Sequence, residues 1–283
     1  MEGFDFNRVY VIESLDDSEE LLTGTALYED LLRYQHLKND IFSAKLISCT
    51  TKEELFNSLN LIKTECQSDG IYPIIHFEIH GEENLKGLIT ASGELVTWME
   101  LYTFISEINI AVKNNLFLTL AVCHGAHIMG LSDITNPAPF WGFIGSFETI
   151  EEYDLMLRYN EFYTELFNSM DITKSLLALY NANPNSFANY TFINSETLFQ
   201  DLYKQYLKKS FSPAGKKVRW KNALAESNIV LVTRPERRKF KKDFDREIIA
   251  TKKHYFETHK NTFFMIDRYP ENSKRFLSNW SPV

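Results

Sequence analysis

The chain of 283 residues carries 30 Lys and Arg against 38 Asp and Glu, and 44% of its residues are apolar. This balance is typical of a folded globular protein and excludes a disordered or fibrous chain. No apolar run approaches the roughly 18 residues of a membrane span, and the first residues lack the regions of a signal peptide. The three cysteines are too few for a disulfide framework, so we expect a cytoplasmic protein without a membrane partner.

Strand-like and helix-like segments alternate in the first 200 residues. Apolar and β-branched runs predict six strands, at residues 9–12, 42–49, 71–79, 116–122, 140–144 and 190–193. Amphipathic segments predict helices over residues 19–37, 51–66, 98–110, 150–170 and 172–181. Ser92-Gly93 predicts a small hairpin within residues 87–96. This order predicts an α/β domain with a mostly parallel six-stranded sheet and helices on both faces.

After residue 195 the pattern changes, and so does the charge. Residues 204–260 carry 17 of the 30 bases and six of the acids, a net charge of +11, whereas the first 203 residues have a net charge of -20. Segments 196–207 and 237–259 predict helices, 210–215 a loop and 229–232 a short strand. We therefore predict a domain over residues 1–200 and a basic, mainly helical C-terminal extension over 201–283.

Two successive predicted strands end in reactive residues, which would share one rim if the strands are neighbours in the sheet. The third ends in His80-Gly81 and the fourth in Cys123-His124-Gly125. Because the carboxyl ends of parallel strands meet at one edge of a sheet, we expect the imidazole of His80 to lie near the thiol of Cys123. Such a pair can transfer an acyl group, since the thiolate attacks a carbonyl carbon and the imidazole protonates the leaving amine. The backbone amides of Gly81 and Cys123 are candidates for an oxyanion hole.

These residues resemble the caspase-like (CHAT-type, clan CD) cysteine peptidases. That family has His-Gly after one core strand and a small residue shortly before the catalytic Cys after the next, matched here by Ile79-His80-Gly81 and Ala121-Val122-Cys123. His80 and Cys123 are 43 residues apart, near the roughly 50 of caspases. Trp141–Ser146 and the helix with Tyr163 resemble the segments that follow the catalytic Cys. The resemblance covers residues 7–196 and implies a caspase-like three-layer sandwich.

The resemblance also implies an activity and a set of residue roles. His80 would be the general acid and base, Cys123 the nucleophile and Gly81 an oxyanion donor, with no metal and no cofactor. The expected activity is that of a cysteine endopeptidase that cleaves a protein through a thioester on Cys123. Bacterial CHAT-type proteins imply a role in antiviral defence or programmed death, under control of a regulatory protein partner.

Specificity is predicted to differ from that of caspases. Caspases use a Gln to hold an aspartate side chain, and the matching position here is Ala121, which has no hydrogen-bond donor. We therefore expect a neutral, apolar or small residue before the scissile bond, unless Arg33 or Arg158 reaches the pocket. Ala121 and His124 are the predicted substrate-binding residues.

A zinc site is an alternative for the same region. Three possible ligands lie on one face of the third strand, His76, Glu78 and His80, and two more follow the fourth, Cys123 and His127. A single buried strand rarely supplies three ligands to one ion, so we favour the peptidase interpretation.

Two further alternatives concern binding instead of catalysis. The first domain could be an inactive caspase-like module that only binds a partner. The basic extension could be a solvated helical surface, dock on the acidic domain, or bind an acidic protein or a nucleic acid. Its densest group of cations is Arg237, Arg238, Lys239, Lys241 and Lys242.

Overall fold

A computed structural model describes residues 4–16, 21–38, 40–184, 189–226 and 233–276. The chain forms two compact units, one from residues 1–132 and 138–195, the other from residues 133–137 and 196–283. The division falls at residue 195, whereas the predicted boundary at residue 200 lies inside a helix. Within the described ranges, no helix is both long enough and apolar enough to cross a bilayer.

The first unit is built on one mixed sheet. Its eight described strands are β1 Arg8–Ser14, β2 Ser43–Ser48, β3 Pro73–Gly81, β4 Gly87–Ile89, β5 Leu95–Thr97, β6 Phe117–Ala121, β7 Gly142–Ser146 and β8 Tyr190–Asn194. Six of them lie in the order β2-β1-β3-β6-β7-β8, parallel except for β8, while the hairpin β4–β5 continues antiparallel from the end of β3. The predicted α/β class and mostly parallel sheet are confirmed.

Six helices within the described residues accompany the sheet: α1 Thr23–Asp30, α2 Gln35–Lys38, α3 Lys52–Ser68, α4 Trp98–Ala111, α5 Glu152–Ser169 and α6 Ile172–Asn181. The helices α3 and α4 begin at capping boxes, in which Thr51 and Thr97 pair with the glutamate three residues later. The predicted helix over 19–37 is wrong as a single element. The backbone of Leu31 leaves the helical region (φ -128°), so a 3₁₀ turn separates α1 from α2.

The two faces of the sheet pack against different helices. On β1, Arg8 donates to Glu65 of α3 at 3.0 Å, whereas Glu13, which projects to the opposite face, accepts from the backbone of Thr25 in α1 at 2.8 Å. The side chains of a strand alternate between faces. On the α1 face, His76 of β3 packs edge-on against Tyr159 of α5. Helices therefore cover both faces, as in a three-layer α/β fold.

All described elements of the second unit are helical: α7 Ser195–Ser210, α8 Pro213–Glu226, α9 Arg234–Ala250, α10 Lys252–Phe263 and a 3₁₀ turn at Pro270–Lys274. A cluster of aromatic rings forms its core: Phe199, Tyr203, Phe256, Phe263, Phe264 and Phe276. By contrast, α8 buries no residue and α9 buries only Ile248.

The helix boundaries of this unit differ from those expected. The loop expected over 210–215 is shorter, because Pro213 begins α8, a position that suits proline. The helix expected over 237–259 is two helices, which meet at Thr251. The hydroxyl of Thr251 donates to the carbonyls of Glu247 and Ile248, an arrangement that bends helices. The predicted strand at 229–232 lies outside the described residues.

Candidate active site at the ends of β3 and β6

His80 and Cys123 meet at one edge of the sheet. The parallel register of β3 and β6 ends with Glu78 beside Ala121; His80 lies two residues further along β3, and Cys123 lies two residues beyond the end of β6. Both line one pocket of about 90 Å³. A water needs roughly 10–15 Å³ on this measure, so the pocket has room for a few waters or a small side chain.

The strand residues that lead to His80 and Cys123 share one face of the sheet. Thr119 of β6 bonds to the ring of His76 at 2.8 Å, on the face of the sheet that α5 covers. Alternate residues of a strand share a face, so Ala121 follows Thr119, and Glu78 and His80 follow His76. Cys123, in the turn after β6, joins His80 in the pocket that both line.

Gly81 is required by the close approach of the two chain segments. A Cβ atom at this position would lie 1.8 Å from the carbonyl oxygen of Cys123, far inside van der Waals contact. The His80-Gly81 segment therefore packs directly on the backbone of Cys123. The proposed oxyanion role of the two amides stays a prediction.

The segment after β7 holds the thiol of Cys123. The amide N–H of Ile150 donates to Sγ at 3.4 Å, and Sγ lies 3.7 Å from the carbonyl oxygen of the same residue. The backbone of Ile150 thus offers a hydrogen-bond donor to a thiolate and an acceptor to a thiol. Cys123 is half-buried, whereas Cys49 and Cys66 are buried.

The same segment holds His124, which has a left-handed backbone conformation (φ 61°). Its amide donates to the carbonyl of Glu148 at 3.1 Å, and its Nδ1 lies 2.9 Å from the carbonyl oxygen of Phe147. A carbonyl accepts only, so Nδ1 carries a proton. His124 does not line the pocket, and its predicted contact with substrate stays a prediction.

A buried chain of polar side chains lies beneath the pocket. His76 bonds through Nδ1 to Thr119, whose hydroxyl lies 2.8 Å from that of Tyr163. Through Nε2, His76 lies 2.9 Å from Glu78 Oε1, and Thr23 donates to Glu78 Oε2 at 2.7 Å. Burial raises the pKa of Glu78, against the effect of its bonds to His76 and Thr23. Because Glu78 also lines the pocket, it joins this network to the site.

A second buried carboxylate stands beside the first. Glu13 of β1 is in register with Glu78 of β3 and accepts from the hydroxyl of Thr25 at 2.6 Å. A Cβ on Gly24 would lie 2.9 Å from atoms of both glutamates, so glycine allows α1 to approach them. The network was not predicted. The short run Thr23-Gly24-Thr25 is the one signal of it in the sequence, since small and hydroxyl-bearing residues suit close packing on polar groups.

The arginines considered for the pocket are engaged elsewhere. Arg158 is buried, pairs with Asp154 at 2.8 Å and donates to the carbonyl oxygens of Leu179 and Asn183. Arg33 is exposed and pairs with Glu29. Neither lines the pocket, and its described lining contains neither Lys nor Arg.

The described residues provide no set of ligands for the zinc site considered as an alternative. In the described part of the chain, no three His, Cys, Asp or Glu side chains are grouped so that they could hold a metal ion. His76 and Glu78 bond to each other, and the ring of His127 packs edge-on against Phe147.

No protein-family model matches the chain, and no curated protein matches its sequence.

Proposed function

We propose that this protein is a caspase-like cysteine endopeptidase whose catalytic dyad is Cys123 and His80. One observation carries the proposal: both side chains line a single pocket at the carboxyl ends of two adjacent parallel strands. Ligands and catalytic groups of α/β sheets gather at such strand ends. The sequence places the two residues there from separate segments, 43 positions apart.

The proposed reaction uses two groups on the side chains and two on the backbone. His80 removes the proton of the Cys123 thiol, and Sγ attacks the carbonyl carbon of the scissile peptide bond. The amides of Gly81 and Cys123 stabilise the oxyanion that forms. His80 then gives its proton to the leaving amine, which departs with the breaking of the C–N bond and leaves a thioester.

Water completes the cycle. His80 accepts a proton from the attacking water, the thioester C–S bond breaks, and the proton returns to Sγ as the carboxylic acid product leaves. Ile150 supports both states of the sulfur, because its N–H donates to the thiolate and its carbonyl accepts from the thiol.

The proposed substrate is a protein with a neutral, apolar or small residue before the scissile bond. Ala121, Leu21, Ile150 and Leu155 line the pocket, and no cation in its described lining would balance a buried aspartate. The resemblance to bacterial CHAT-type proteins extends the proposal to antiviral defence or programmed death, with a regulatory protein partner.

A library of peptidyl acyloxymethyl ketones, varied at the residue next to the warhead, tests the activity and the specificity together. We expect one covalent adduct per chain, at Cys123 by peptide mapping, with apolar or small residues preferred. Cys123→Ala should remove the adduct and His80→Ala should slow it strongly, while His36→Ala, at an exposed histidine of α2, serves as the matched control. Equal adduct rates for wild type and His80→Ala would contradict the dyad, and a binding module would give no adduct at all.

A further inference from the structure

The second unit contains a pocket of its own, between α8 and α9. Its volume is about 580 Å³, within the range of roughly 300–1,000 Å³ that ligand sites occupy. Lysines and aromatic rings line it: Lys216, Lys217 and Trp220 from α8, Lys241 and Phe244 from α9, and Phe211 before them.

Charge is the first feature that points to a ligand. Asp245 is the single acid in the described lining, against three lysines. No lysine of the three is paired with a carboxylate anywhere in the described ranges. Like charges around one cavity repel each other, and an anion between them would relieve that repulsion.

The aromatic rings are the second feature. Trp220 and Phe244 line the same pocket as the lysines. The indole N–H of Trp220 is buried, and no acceptor for it exists among the described residues. A buried donor without an acceptor costs free energy, so packing within the chain alone does not account for the position of Trp220, whose ring lines the pocket.

We propose that this pocket, defined by Lys216, Lys217, Trp220, Lys241 and Phe244, binds single-stranded nucleic acid. Phosphates would contact the three lysines, and a base would stack on Trp220 or Phe244. Cationic grooves with aromatic platforms are how proteins hold single strands without a sequence motif.

Other anions fit these residues less well. An acidic peptide supplies carboxylates but no planar face for Trp220, and a duplex hides its base faces. Exposed cations continue along α9 beyond the pocket, at Arg234, Arg237, Arg238, Lys239 and Lys242. This length of positive surface favours a strand over a free nucleotide. The proposal is independent of the peptidase activity.

Fluorescence anisotropy of the full chain with labelled oligo-U and oligo-dT of about 20 nucleotides tests the site. The pocket variant is Lys216→Glu/Lys217→Glu/Lys241→Glu. The control is Lys174→Glu/Lys208→Glu/Lys253→Glu, which changes the net charge equally at positions outside the pocket. We expect at least about ten-fold weaker binding for the pocket variant, with a shallower salt dependence by about 2 in log–log slope. The control should change binding less than about three-fold.

Trp220 supplies a second readout. Binding should quench its emission, and Trp220→Leu should weaken binding by about ten-fold, whereas Trp220→Phe should largely retain it. Circular dichroism would check that both variants fold. No binding at about 50 mM salt, equal losses in the pocket and control variants, or preference for a duplex would overturn the proposal. Displacement by polyglutamate as effective as by oligo-U would assign the pocket to an acidic protein instead.

Discussion

The edge of the sheet and the α8–α9 pocket place their polar groups in opposite ways. At the edge, His76, Glu78 and Thr119 are buried and hydrogen-bonded to each other, so their positions depend on strand register. In the pocket, Lys216, Lys217 and Lys241 have no carboxylate partner among the described residues and lie on helices that bury almost no residue. The first arrangement suits chemistry, which requires atoms held to fractions of an ångström. The second suits binding driven by charge.

The difference also affects how each region tolerates change. A buried polar group that loses its partner retains the full cost of desolvation, about 1–3 kcal/mol. Exposed cations interact through screened fields, and single changes there alter stability by about 0.5 kcal/mol or less. We therefore expect substitutions in the buried network of His76, Glu78 and Thr119 to affect folding and activity together, and substitutions in the α8–α9 pocket to affect binding alone.

The sharpest test of the edge as a catalytic arrangement is removal of the dyad. Cys123→Ala or His80→Ala should lower kcat/KM for a peptide identified from the library by about 10⁴-fold or more. The double variant should lose hardly more than either single variant, because the two residues act as a unit. Thermal unfolding should stay near that of wild type. Losses that multiply in the double variant would indicate that the residues act separately.

Thiol reactivity separates the edge from the core. Burial raises the pKa of Cys66 to about 12 and raises that of Cys49, so neither forms much thiolate at neutral pH. Iodoacetamide should modify Cys123 about 10³-fold faster than Cys66 in the native protein, as measured by mass spectrometry of tryptic peptides. In urea all three should react at similar rates. Equal modification rates of Cys123 and Cys66 in the native protein would show that the thiol of Cys123 is not activated.

Backbone contact at the edge predicts a large cost for one methyl group. Gly81→Ala places a Cβ against the carbonyl oxygen of Cys123, so the segments that contain Gly81 and Cys123 must move apart. We expect a loss of about 3 kcal/mol in the free energy of unfolding, measured in urea, together with the loss of cleavage. Gly130→Ala is the matched control, since nothing lies within 4 Å of its Cβ position. An unchanged free energy of unfolding for Gly81→Ala would show that the backbone contact between Gly81 and Cys123 is loose.

Protonation of Glu78 should make the edge sensitive to pH. Burial raises the pKa of Glu78 above the unfolded value near 4.5, so the folded chain holds a proton there that the unfolded chain releases. The stability this provides is present below about pH 4.5 and is lost as the pH rises through the folded-state pKa. Glu78→Gln cannot ionise and should remove that loss, while it costs about 1–2 kcal/mol at low pH because one acceptor is replaced.

Urea unfolding between about pH 4 and pH 7 would measure both effects. The exposed Glu53→Gln in the first turn of α3 is the control, and it should leave the profile unchanged. If the free energy of unfolding depends on pH in the same way for wild type and Glu78→Gln, the pKa of Glu78 is not raised.

The smallest expected effect lies away from both regions, at the start of α4. Hydrogen bonds from Lys52 and Thr97 lower the pKa of Glu100 to about 2, which stabilises the fold above about pH 4.5 and is lost as the pH falls toward 2. The side chain is 39% exposed, so solvent screens much of this interaction. Glu100→Gln should cost at most about 1 kcal/mol at neutral pH, measured in urea, and nothing near pH 2. A larger loss would show that the cap anchors the hairpin as well.

Local patterns were sufficient for most elements, but not for where they end. Short apolar runs predicted all six strands of the main sheet, and the amphipathic segment over 51–66 predicted α3. The single helix expected over 19–37 failed because periodicity does not reveal a backbone change at Leu31. The helix expected over 237–259 failed in the same way, because periodicity does not reveal that the chain divides into two helices at Thr251.

What the sequence by itself determined is the α/β class, the opposite charges of the two parts, and the presence of His80 and Cys123 at the ends of predicted strands. Strand propensity and charge are properties of residues near each other in the chain, so they can be inferred without a fold. Only the tertiary structure decided that Thr23, from a separate helix, reaches Glu78, that Ile150 holds the thiol, and that Arg158 is committed to Asp154. These contacts join segments far apart in the chain, and their geometry follows from strand register and from the close approach that Gly24 and Gly81 permit.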